Sequence, residues 1–539
     1  MTDMARTTSA AGSVPLRRRV VTGLLAGVFA LGALAVVLAA MPSPVFDLDR
    51  FLVPKELAVH VTALLALVLT WLLKEPIELS VPEIALLCLA AWTVLSGLFA
   101  TNPWLAFRTT ALTTSGAALI ISARAAARAG LTSVVVAALG LAALAGTLSG
   151  VAQAYGWSTD VLANTRAPGG TFGNRNFMAH LTVIGLPLLF WLTLRAKRNL
   201  AAWLWSAGLA LAAMGVVLSR SRAAWIGLVA SLGVGAVALL IAARGRRDVI
   251  FVGRRLRRAL GLAALGAALA LVIPNTLRWR SDSPYRDTLR DVLNYRGGSG
   301  RGRLIQYRNS FELVKRNPVF GTGPGNWPVL YPQVTTPGDP SFSGGDVMPT
   351  NPWPSSDWVA LVAERGPIAL LIVIALGAGL GLVFVRRLGV PEASIAVGAA
   401  AGLAVLTAAA VEGLFDAVLL LPQGVLFVAV AAGALLPPLG TARTLSGRAR
   451  GRALLVAVLW TAIAATRSGF QVAAIATAGA GDSVEALERA AVLDPGSYRL
   501  HIMIANRTEC RRSRPHAWRA FRLFPFLPAP RQAVARCPR

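Results

Sequence analysis

The side chain best placed to do chemistry in this sequence is arginine standing in short polar breaks between apolar runs. Arg220 and Arg222 occupy the break Leu218-Ser219-Arg220-Ser221-Arg222-Ala223-Ala224-Trp225. Arg303 opens a stretch in which Leu304, Tyr307, Phe311, Leu313 and Val314 recur at helical spacing. A guanidinium at a membrane surface is costly unless it meets water, a carboxylate or an anion, and its planar fork grips a phosphate at two points. Several such arginines on one side imply a phosphate-bearing substrate presented there; the alternative for any one of them is snorkelling at the interface. Proton-handling candidates are Asp357, Glu364, the pair Glu412 and Asp416 one helical turn apart, and His180, one turn into the run that follows Arg175 and Asn176. The acids can equally pair with arginines, and a lone histidine at a helix end can equally be structural.

The glycine-rich stretch Gly321-Thr322-Gly323-Pro324-Gly325-Asn326-Trp327 looks like a phosphate cradle but lacks the Lys-Ser/Thr that a nucleotide loop needs. Nucleotide binding is excluded on that ground. Gly323 and Asn326 instead mark a turn whose backbone comes close to a ligand or a neighbouring helix.

The elements that must position these residues are membrane helices. Over 539 residues, 55% are apolar and 14% charged, and the mean hydropathy is +0.60, far outside the range of an ordinary soluble domain. A formal net charge of +28 would suit nucleic acid, but the basic residues fall in clusters between apolar runs rather than on one face, so no nucleic-acid partner is expected. Three cysteines and four scattered histidines give no disulfide framework and no metal motif. The fold class is all-α, a polytopic membrane protein of about 13 transmembrane helices. They are placed near 20–40, 57–73, 80–100, 104–123, 131–152, 176–194, 201–219, 222–243, 258–274, 366–385, 391–415, 418–438 and 451–467. The first is preceded by Arg17-Arg18-Arg19 and is too long for a signal-peptide core, so it reads as a helix that stays.

Positive charge accumulates at every second break: the amino terminus, Arg124/Arg128, Arg195/Lys197/Arg198, Arg244 to Arg258, Arg386/Arg387 and Arg443 to Arg452. These belong to the cytoplasmic side, which puts the long polar loop 274–366 and the carboxyl terminus outside. The resulting division is a cytoplasmic tail 1–19, a transmembrane domain 20–468 and an external segment 469–539. In that segment 481–495 reads as a capped amphipathic helix similar to the second helix of a tetratricopeptide repeat, with further helices near 497–510 and 512–524. Cys510 and Cys537, the only cysteines on that side, bracket a helical hairpin and are expected to form a disulfide.

Five stretches in order resemble the O-antigen ligase and O-antigen polymerase superfamily of lipid-linked glycan transferases. They are Gly173-Asn174-Arg175-Asn176-Phe177, Ser221-Arg222-Ala223-Ala224-Trp225, Gly302-Arg303 with Tyr307, Pro318 to Asn326, and Asp357-Trp358 to Glu364-Arg365-Gly366. The resemblance spans 84–437. It implies an undecaprenyl-diphosphate-linked glycan as donor, transferred without cofactor or metal, with Arg222 and Arg303 on the diphosphate. It also implies a base just before Asp357, where the family's ligases carry histidine and this chain has Ser355-Ser356. The expected location is the bacterial inner membrane. The acceptor is a glycan, a lipid core or a protein, and the carboxyl-terminal helices are available to polysaccharide-assembly proteins. A lipid-linked glycan transporter and an inactive polysaccharide-binding relative are the rival readings.

Overall fold

The computed structural model describes residues 16–43, 46–162, 165–244, 249–292, 297–343, 348–436, 443–481 and 483–537. Most of the tail 1–19, residues 245–248 of the Arg244 to Arg258 cluster, and Asp482 before the first carboxyl-terminal helix lie outside the described residues. The described residues are mostly helical, and the helices are numbered here in chain order.

The membrane part contains α1 (Leu16–Leu38), α2 (Asp49–Leu73), α3 (Val81–Gly97), α4 (Pro103–Arg128), α5 (Thr132–Ala154), α6 (Arg175–Arg195), α7 (Asn199–Ser219), α8 (Arg222–Ala243) and α9 (Val249–Val272). It resumes after the polar loop with α13 (Asp357–Leu388), α14 (Ala393–Glu412), α15 (Pro422–Leu435) and α16 (Gly447–Gly479). Each expected span coincides over most of its length with one of these helices. Among the described residues nine helices are long and apolar enough to cross a membrane: α1, α2, α5 to α8, α13, α14 and α16. Helices α3 and α15 are apolar but shorter. Helix α4 is diluted by threonine and arginine, and α9 begins with Arg254, Arg255, Arg257 and Arg258, leaving a short apolar remainder.

Two faces are distinguishable by their polar chemistry. On the arginine face, buried Arg124 pairs with Glu78 and Glu83, and Arg18 reaches Glu75 at 2.6 Å. Arg450 donates to the carbonyls of Thr70 and Glu75, each at 2.7 Å. Here a short strand β1 (Ile77–Leu79) pairs antiparallel with β2 (Arg443–Leu445), tying the α2–α3 link to the start of α16. The opposite face carries the large loop, with α10 (Pro284–Arg290), the amphipathic α11 (Gly298–Arg316) and a single turn α12 (Trp327–Leu330).

Local chemistry fixes the ends of the helices that matter for the site. Asn102 caps α4 by accepting from the amides of Trp104 and Leu105 at 3.1 and 3.3 Å. Helix α13 begins earlier than the apolar run suggests, at Asp357 under the Ser356 cap, and breaks at Gly366, whose φ of 75° no β-carbon could share with the Val319 carbonyl 2.0 Å away.

The last membrane helix corrects the boundary at 468. Helix α16 does not stop there but runs to Gly479, 33 residues and about 50 Å in all, well past the hydrocarbon thickness. From its end hang α17 (Val484–Leu493), α18 (Tyr498–Arg507), α19 (Cys510–Leu523) and α20 (Pro528–Arg536), the last unforeseen in the sequence. Cys510 and Cys537 are disulfide-bonded, with Cα atoms 5.2 Å apart. These helices lie on the loop and on the start of α4: the Asn102 amide donates to the Leu523 carbonyl at 3.2 Å, and Gly496 packs against Trp104.

Candidate functional site: an arginine cleft and a deep cavity on either side of one turn

The break between α7 and α8 is so tight that Arg220 takes a left-handed conformation, φ 53°, to end α7 before Ser221 starts α8. Arg220 donates through Nε to Thr288 Oγ1 at 2.9 Å and lies 4.5 Å over the Trp279 ring. Arg175 lies 4.8 Å over the same ring. Arg222 opens α8 and donates to the Asp291 carbonyl at 2.6 Å. Arg303, in the first turns of α11, lines a small cleft together with Arg222, Val292, Gly300 and Phe415. Arg222 and Arg303 therefore line one small cleft beside the amino terminus of α8, whose dipole favours negative charge there.

Behind that cleft is a buried polar cluster. His180 Nδ1 is 3.3 Å from Glu412 Oε1, and its Nε2 is 3.4 Å from Asp416 Oδ2, which also accepts from the Asn176 amide at 2.9 Å. Burial works against the Asp416 charge, but His180 and Arg303 outweigh it and hold this carboxyl below the usual aspartate range. Asp416 is thus the link between the arginine cleft and the imidazole. Room for Glu412 comes from Gly227, one turn beyond Arg222 on α8.

Asp357 and Tyr307 have a different role from the one their types suggest. The Asp357 carboxylate accepts the amides of Val418, Leu419 and Leu420 at 3.0, 2.8 and 3.2 Å, and its own amide donates to the Gly413 carbonyl at 2.8 Å. The Tyr307 hydroxyl donates to the carbonyls of Ser355 (2.6 Å) or Leu414 (3.1 Å). Both hold the turn 413–420 between α14 and α15. A carboxylate that accepts three backbone amides clamps the turn, and these are the contacts the structure gives to Asp357, expected from the sequence as an acid or base.

Glu364, Gly323 and Asn326 meet each other but not the arginine cleft. Glu364 Oε2 accepts the Gly325 amide at 2.8 Å, and the Glu364 carbonyl accepts that of Gly323 at 2.9 Å. Asn326 exchanges bonds with the Asn102 backbone at 2.6 and 3.1 Å. The glycine loop is therefore a joint locking the polar loop onto α4, and Glu364 acts there as an acceptor of backbone amides. Among the described residues no group of three or more His, Cys, Asp or Glu is placed to hold a metal ion.

Sequence reasoning missed a cavity of about 990 Å³ on the other side of the 413–420 turn. The turn is shared: its Phe415 lines the arginine cleft, whereas Leu419 and Leu420 line the cavity. At the loop face the cavity is polar, with Thr109 and Thr113 of α4, and Tyr498 and Arg499 of α18 form part of its roof. Towards the arginine face it is walled by apolar residues of α13 and α15. Gly377 and Gly381, which line it, stand in the small-residue run Gly377-Ala378-Gly379-Leu380-Gly381 and give no sign of it in the sequence.

A family model described as O-antigen ligase matches residues 207–374. The matched stretch runs from α7 into α13 and so contains Arg222, Arg303, Asp357 and Glu364. The chain is a polytopic helical membrane protein, and its residues 207–374 are similar to the O-antigen ligase family. No curated protein matches it.

Proposed function

We propose that the protein is an inner-membrane glycosyltransferase of the O-antigen ligase or polymerase kind, moving an undecaprenyl-diphosphate-linked oligosaccharide onto an acceptor at the periplasmic face. The observation that carries this reading is the convergence of Arg222 and Arg303 on one cleft within the matched domain. In the transfer, the bond between the anomeric carbon and the diphosphate oxygen breaks while a bond to the acceptor hydroxyl oxygen forms. The departing diphosphate gathers negative charge where the two guanidiniums stand. The hydroxyl proton goes to the Asp416 and His180 pair, which replaces the loop histidine absent at Ser355 and Ser356.

Orientation follows from charge: the arginine face is cytoplasmic and the loop and carboxyl-terminal helices are periplasmic. Helix α17, similar to the second helix of a tetratricopeptide repeat, leaves a face with exposed Val492 to assembly proteins. Lipid analysis of a deletion strain tests the function. Lipid-linked glycan should build up on the periplasmic side and be cleared by the wild-type gene but by neither Arg303→Ala nor Arg303→Lys, each slower by about a hundredfold. Build-up on the cytoplasmic side would mean transport instead.

A further inference from the structure

The deep cavity has a charge pattern that the arginine cleft does not share. Among the described residues its lining holds five arginines and six carboxylates. Three of these arginines already meet carboxylates of the same lining. Arg108 lies 2.7 Å from Glu56 and 3.1 Å from Asp49, Arg365 lies 3.8 Å from Glu364, and Arg467 pairs with Asp494. A phosphate head requires an excess of donors, and here donors and acceptors are balanced. Sugar hydroxyls both donate and accept, so fixed guanidinium and carboxylate pairs, with Thr109, Thr113 and the tryptophans Trp353 and Trp358, offer them both partners at once.

The inner part is shaped for a chain. From the break at Gly366 to Gly381, α13 rises about 22 Å, roughly two thirds of a hydrocarbon core. A β-carbon on Gly377 or Gly381 would meet no atom within 4 Å. Both glycines line the cavity, as do Val428 and Ala432 of α15, so the space beside them is open and apolar rather than filled by a tight helix contact. A polar, charge-balanced head space above an apolar trough at membrane depth fits a lipid with a sugar head.

We propose that this cavity binds a glycolipid whose head is an uncharged glycan, its tail lying along Gly377 and Gly381 and its head under α18. Naming that lipid the acceptor rests on the transferase reading, in which donor and acceptor would approach the 413–420 turn from its two sides; the binding itself does not.

The test uses the full chain in phosphatidylcholine nanodiscs with two photoreactive probes, a diglucosyl diacylglycerol and a phosphatidylglycerol, each carrying a diazirine in its tail. Peptide mapping should place the glycolipid label on 376–381 and 425–432, exceeding the phosphatidylglycerol label there by about tenfold. Gly381→Trp should reduce it by about tenfold, whereas Arg303→Ala, which strips the other cleft, should leave it unchanged. Equal labelling by the anionic probe, label confined to the outer surface, or full labelling of a folded Gly381→Trp protein would overturn the proposal. If Gly381→Trp does not fold, Gly377→Leu takes its place, and if neither folds, the wild-type map and head-group preference decide. Because no transfer is measured, an inactive protein that still labels here would sink the transferase reading and not this one.

Discussion

Gly227 and Glu412 face each other across the α8–α14 packing so closely that a β-carbon on the glycine would lie 2.4 Å from Glu412 Cγ. Glu412 is fully buried and has no space to retreat into. Gly227→Ala should therefore push the carboxylate off His180 and cost about 1–3 kcal/mol, as overpacking does. Gly233→Ala, on the same helix with nothing within 4 Å, is the matched control and should be neutral. Thermal unfolding in detergent compares the two; equal midpoints would show that the His180 cluster does not depend on this contact.

Asp357→Asn should act as a structural lesion. One amide oxygen cannot satisfy the three backbone donors of 418–420, and the new amide hydrogens point at them, for a cost of about 2–4 kcal/mol. Hydrogen exchange should show those three amides deprotected. Full protection together with lost transfer would instead return Asp357 to the chemistry.

The carboxyl-terminal helices should loosen in acid. His501 Nε2 faces the Pro495 carbonyl at 3.2 Å and donates to it, so its Nδ1 accepts from His516 Nδ1 at 2.9 Å and the His501 ring is neutral. Burial holds the His501 pKa down to about 4, with Arg519 and His516 adding to it and Asp494 opposing. Burial lowers His516 too, with Arg512 adding and Glu488 opposing. A histidine depressed in the fold but near 6.5 when unfolded binds fewer protons native than unfolded. Its contribution is complete above about pH 6.5 and lost as pH falls towards 4. Limited proteolysis between pH 7.5 and 4.5 should cut α17 to α20 progressively in the wild type, and a flat profile would reject this.

Cys510→Ser with Cys537→Ser should destabilise the same helices. Releasing a closure between residues separated by 27 positions costs about 3–4 kcal/mol in loop entropy. The bond also reports the compartment: alkylation without reductant should find both thiols blocked in cells, and free thiols would place these helices on the cytoplasmic side.

The helices and the arginines were legible in the sequence for a simple reason. Apolar runs declare membrane helices, and Arg222 and Arg303 stand out because a charge beside such runs demands a partner. The clamp that Asp357 forms was not legible because its partners, the amides 61 to 63 residues further on, leave no mark on the sequence. The same holds for Asn102, whose bond to Leu523 spans 421 positions. The cavity was unreadable because Gly377 and Gly381 look the same whether a helix or empty space lies against them.

Helix α16 is a rod fastened at both ends. At one membrane face Arg450 and the β1–β2 pair hold its start, and at the other Gly479 is seated on Ser43 while Arg467 grips Asp494. The helices that roof the cavity and the strand pair at the opposite face are thus joined through one continuous helix, anchored at each by its own contacts.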